Sequence, residues 1–155
     1  MKTIILVFAL LFFYVSYYQK KQNFQLVSPN GKIEVTIALS DKITWTITHE
    51  KETVLSASPM SMTINEGEIV GNNPKLLNAK KESIKNSFET PLYKKKSVQD
   101  NYNQLLLNFK GDLGIEYRAF DEGVAYRFIT KKKGEITVKS EEVVMSFDKD
   151  YATLM

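Results

Sequence analysis

Residues 33–48 read IEVTIALSDKITWTIT, and this run constrains the fold more than any other stretch of the chain. Ile33, Val35, Ile37 and Leu39 alternate with Glu34, Thr36, Ala38 and Ser40. After a turn at 40–42, Ile43, Trp45 and Ile47 alternate with Thr44, Thr46 and Thr48. A period of two sends successive side chains to opposite faces, so each half is a strand with one face buried. The pair predicts an antiparallel hairpin. The preceding SPNG at 28–31 predicts a tight turn, because Pro29 fixes φ and Gly31 tolerates positive φ.

The same pattern returns near the other end. Ile115, Tyr117 and Ala119 share one face, as do Val124, Tyr126 and Phe128, with Asp121, Glu122 and Gly123 between them. Gly123 supplies the backbone freedom that a short hairpin loop needs. Residues 104–109 read as another apolar strand, and 60–64, 135–139 and 142–147 as further ones. Residues 66–98 are polar and broken early by Gly71, Asn72, Asn73 and Pro74, so they read as an irregular excursion between strands. Many short strands separated by turn residues predict an all-β, antiparallel sandwich or barrel. With 155 residues and no internal repeat, the chain has room for one domain.

Composition narrows the chemistry. The chain has no Cys, which excludes disulfides, thiolate metal sites and a cysteine nucleophile. Its one His, His49, excludes any site needing two imidazoles; it shares the parity of Trp45 and Ile47 and reads as a strand-end residue. Lys2 precedes an unbroken apolar run over residues 4–15. That is the outline of a secretory signal, and the run is too short for a stable membrane span. Residues 1–18 are therefore expected to be a signal peptide, with an uncleaved interfacial anchor as the alternative. Either way the body lies outside the cytoplasm, in the periplasm or the extracellular space. The net charge is +3, or about +2 once Lys2 leaves with the signal, too little to imply nucleic acid.

Local chemistry is sparse, with no phosphate loop, no HExxH and no GxSxG. Asp121 and Glu122 are adjacent on a hairpin tip, whereas a glycosidase pair must flank one bond from opposite sides, so turn chemistry is the reading. The basic triplets at 94–96 and 131–133 lack interleaved aromatic residues and read as solvated loops. Arg118 and Arg127 stand on opposing strands of the second hairpin, where they either pair with an acidic neighbour or grip a ligand carboxylate. Tyr93 and Tyr102 fall near turns and are the exposed aromatic candidates for stacking on a sugar ring. Trp45 belongs to a core face.

Three segments in order are more informative than any one: FQLVSPNGKIEVTI at 24–37, TPLYKKKSVQDNYNQLLLNF at 90–109 and GIEYRAFDEGVAYRF at 114–128. The last is the most specific, through Arg118, Asp121, Gly123, Ala125, Tyr126, Arg127 and Phe128. Together they resemble the start of the N-terminal domain of glycoside hydrolase family 97, exported bacterial α-glucosidases and α-galactosidases. The resemblance implies a galactose-mutarotase-like β-supersandwich packed on a catalytic βα barrel. It also implies an oligosaccharide substrate and a calcium ion held mostly by the barrel.

On that reading residues 19–155 are a partial, non-catalytic N-terminal sandwich. The barrel of the same polypeptide is its partner, no metal or catalytic residue lies within the segment, and Tyr93, Tyr102, Arg118 and Arg127 are the carbohydrate-contact candidates. Residues 148–155 carry no terminating signal, which is expected of a fragment of something longer, with exposed edge strands and poor solubility when expressed alone. The alternatives are a free-standing secreted carbohydrate-binding sandwich without catalysis, and a cell-surface interaction protein.

Overall fold

The computed structural model describes residues 21–65, 67–89 and 97–150. The opening strands form an antiparallel meander. These are β1 (Gln22–Val27), β2 (Ile33–Leu39), β3 (Ile43–His49) and β4 (Glu52–Ile64), with the short β5 (Glu68–Val70) paired to the end of β4. The alternation over 33–48 becomes register here, with Ile37 opposite Trp45 and Leu39 opposite Ile43. Glu50 and Lys51 both take positive φ, the backbone of a two-residue hairpin turn whose twist matches the strands it joins.

A second antiparallel sheet has the order β6 (Leu76–Glu89), β7 (Ser97–Phe109), β8 (Leu113–Ala119) and β9 (Val124–Thr130). The chain then returns to the first sheet, where β10 (Val138–Val143) pairs with β4. Among the described residues there is no helix, and so none long and apolar enough to cross a membrane. The expected signal at 1–18 lies outside the described residues.

The two sheets face each other across one core. Val35, Ile37, Ile43 and Trp45 from the first sheet meet Leu105, Leu107, Ile115 and Tyr117 from the second. These are the alternate residues picked out in the sequence, and the all-β antiparallel sandwich follows from them. A smaller cluster of Ile64, Val70 and Leu113 closes one end.

Two sequence expectations are corrected. The supposed excursion over 66–98 contains β5 and β6, and β6 pairs with β7 in register from Asn78 to Glu89. It was illegible because β6 is an edge strand exposed along nearly its whole length, so neither face needs apolar residues and no alternation is written into it. Strands expected at 135–139 and 142–147 are instead the single β10. Its register shifts between Val138 and Ser140, and after Val143 the chain keeps only isolated bonds to β4, such as Val144 N–H to Pro59 O.

Candidate functional site

The second hairpin gathers three of the four sequence-selected residues on the outer face of the four-stranded sheet. In β8 the residues that alternate with Ile115, Tyr117 and Ala119 point away from the core, which places Glu116 and Arg118 side by side. Closure of the hairpin at Asp121–Gly123 sets Arg127 of β9 directly opposite Glu116. The Glu116 carboxylate accepts from Arg118 Nε at 2.8 Å and from Arg127 Nη2 at 3.0 Å.

Glu116 is the residue that sequence reading missed. Its side chain is 7% exposed, because the two guanidinium groups cover it. The hairpin register alone would have found it. A carboxylate held between two cations is suited to fixing strand geometry rather than to moving a proton. Replacing it tests this. Glu116→Gln is expected to cost about 1–2 kcal/mol in urea unfolding, less than the loss of a fully buried ion pair because Arg127 stays largely in water. Arg127→Gln is expected to cost under about 1 kcal/mol, since it is mostly solvated and Arg118 still serves the carboxylate.

Tyr102 lies in this strip, but not as an exposed platform. It sits mid-strand in β7 and is 7% exposed. The Phe120 ring packs on it at 4.9 Å between centroids, and the Arg118 guanidinium lies 4.6 Å above its ring. The neighbouring Asn101 and Asn103 made the segment look like a turn; Phe120 and Arg118, from β8 and its end, cover the ring. Tyr93 and the triplet at 94–96 lie outside the described residues. In the other triplet, Lys132 is engaged with Glu68 at 2.8 Å. His49 is exposed at the end of β3.

The tip of the hairpin meets the first turn of the chain. The Asn30 backbone N–H donates to Asp121 Oδ1 at 2.8 Å, and Ser28 Oγ accepts from Ile33 N–H and donates to Asn30 Oδ1. The SPNG turn and the DEG turn are thus one structural unit. On the inner side of β9, Tyr126 packs edge-on against Trp45 and donates its hydroxyl to Glu141 Oε1 of β10.

Burial, and secondarily the bond to Glu141, pushes the Tyr126 hydroxyl up to about 12 from its ordinary 10.0. A group that titrates higher in the folded state than in the unfolded one contributes stability that is whole below pH 10 and is lost as the pH rises toward 12. Melting temperature is expected to fall over that window, and Tyr126→Phe to flatten the fall.

Among the described residues no group of three or more His, Cys, Asp or Glu side chains is placed to hold a metal ion. The calcium ion implied by the resemblance finds no donor set in these strands.

Comparison with known proteins places these features in context. The family model for the glycosyl-hydrolase 97 N-terminal region matches residues 26–155. A retaining alpha-galactosidase of Bacteroides thetaiotaomicron is 35% identical over 132 residues, which are 85% of this chain and 20% of that protein. Among solved structures, a beta-arabinopyranosidase superimposes with a TM-score of 0.73 at 24% identity, over 81% of this chain and 21% of that one. A family 97 glycoside hydrolase of a Pseudoalteromonas species, in complex with panose, superimposes with a TM-score of 0.71 at 20% identity, over 81% and 20%. Both structural likenesses show the fold. The chain spans about a fifth of the length of each of these relatives.

Proposed function

The chain belongs to the glycosyl-hydrolase 97 N-terminal family, and from that membership we propose that it is the non-catalytic amino-terminal portion of an exported glycoside hydrolase acting on α-glucosides or α-galactosides. The observation that carries this is the 35% identity to the retaining alpha-galactosidase, which runs along most of this chain yet occupies only a fifth of that enzyme. The Pseudoalteromonas enzymes bound to panose and to acarbose support an oligosaccharide as the substrate class.

In this role the sandwich is a rigid support. Hydrolysis of an α-glycoside needs two carboxyl groups on either side of the scissile bond. The best-buried carboxylate described here, Glu116, is held by two arginines, and Asp121 is engaged by the Asn30 amide. The reacting groups and the calcium ion belong to the remaining four-fifths of such an enzyme. This portion buttresses them and walls the sugar pocket. Of the carbohydrate-contact candidates, Arg127 is 61% exposed in its side chain and is the one able to reach a sugar hydroxyl or a neighbouring carboxylate.

Two assays test the reading together. The chain alone should release no nitrophenol from nitrophenyl α-glucoside or α-galactoside. A chimera in which it replaces the matched stretch of the Bacteroides alpha-galactosidase should hydrolyse the galactoside. Turnover by the chain alone, or a folded chimera without activity, overturns it.

A further inference from the structure

Between β9 and the stretch that follows β10, the sandwich opens into a groove of about 520 Å³. Its lining is mostly apolar: Trp45, Ile47 and Leu55 from the first sheet, Val124 from β9, and Met145 and Phe147 after β10. The last two are each 55% exposed. Trp45 is 4% exposed, yet its indole Nε1 is buried without a hydrogen-bond partner, alone in this among the side-chain polar atoms described. A buried N–H without an acceptor is costly and marks a place where an acceptor belongs. Beside the groove β9 ends its sheet, pairing among the described residues only with β8.

Resting on the reading of this chain as one portion of a longer enzyme, we propose that the groove is the docking site of an extended apolar segment from the rest of that polypeptide, which adds to the free edge of β9. Such a segment places alternate side chains among Ile47, Leu55 and Val124, and offers a backbone carbonyl to Trp45 Nε1. Strand addition suits the site because main-chain bonds to a sheet edge supply affinity while pockets take every second side chain.

A sugar fits it less well. Sugar hydroxyls need several converging polar groups; the polar residues here, His49, Asp121 and Glu122, are all exposed, and Asp121 is already engaged. The length supports the same occupant, since four-fifths of each relative lies outside the matched portion.

The test uses the full chain and reads binding, not hydrolysis, so its failure is separate from failure of the functional reading. Trp45 is the single tryptophan, so its emission reports the groove directly. The apolar dye anilinonaphthalene sulfonate should brighten on the chain, and Val124→Asp should abolish this. The milder Val124→Thr, which keeps the shape of the side chain, should weaken it with the fold intact. Strand-length peptides from the Bacteroides alpha-galactosidase, drawn from outside its matched stretch, are then added. At least one apolar peptide should displace the dye and shift Trp45 emission, and Val124→Asp should lose both responses.

Four results overturn the proposal: no dye binding, no displacing peptide, displacement by maltotriose, or a dimer that Val124→Asp converts to monomer. The last two assign the groove to sugar and to a second copy of the chain.

Discussion

Tyr117→Ala is expected to lower the unfolding free energy by about 4 kcal/mol, as an aromatic side chain removed from a closed core does. Tyr117 is fully buried on the inner face of β8, against Trp45 across the sandwich. Its hydroxyl meets Met60 Sδ at 2.8 Å, which ties β8 to the middle of β4. Truncation therefore removes ring contacts with both sheets at once, and the neighbouring strands are held in register and cannot collapse into the space. Tyr117→Phe keeps the ring and loses only the hydroxyl contact, so it is expected to cost about 1 kcal/mol. Urea unfolding of the two variants beside the parent separates ring from hydroxyl. Near-equal losses would place the stabilisation in the polar contact and contradict this account.

Gly71→Ala is expected to cost about 3 kcal/mol through the backbone alone. Gly71 has φ +100°, a conformation that side-chain-bearing residues rarely adopt. A Cβ built there would stand 2.5 Å from the Met60 carbonyl oxygen and 3.2 Å from Ser61 Cα. Both are backbone atoms of β4, so relief means moving a central strand. The Gly71 carbonyl also accepts the Ile43 N–H at 2.9 Å, where β3 begins. Loss of stability should appear with faster hydrogen exchange at Ile43. A variant as stable as the parent would show that the segment shifts freely.

How much of this was legible follows from where burial falls. β2 and β3 each bury one face and expose the other, so hydrophobic alternation wrote their identity, register and core side into the sequence. The same is true of β8 and β9, where the Gly123 turn fixed the pairing. β6 buries neither face, so a strand of fourteen residues looked like a polar loop.

Tyr102 was misplaced for a related reason. Asn101 and Asn103 suggested a turn, whereas its cover comes from Phe120 and Arg118, eighteen and sixteen residues further along the chain. Tertiary cover of that kind leaves no local trace. Glu116 lay between: hidden as a residue type among polar strand positions, yet determined once the hairpin register was known. The open groove at Trp45 was invisible in the sequence, because a core-facing tryptophan reads the same whether or not its N–H finds an acceptor.

The hydrogen bond from Asn30 to Asp121 joins residues 91 positions apart, and so sets a temporal order on assembly. Each hairpin can zip from its own turn within microseconds, while the clasp must await closure of a long intervening loop. Disabling Asp121 should therefore leave the refolding rate nearly untouched and hasten unfolding, the kinetic mark of a latch that engages after the rate-limiting barrier.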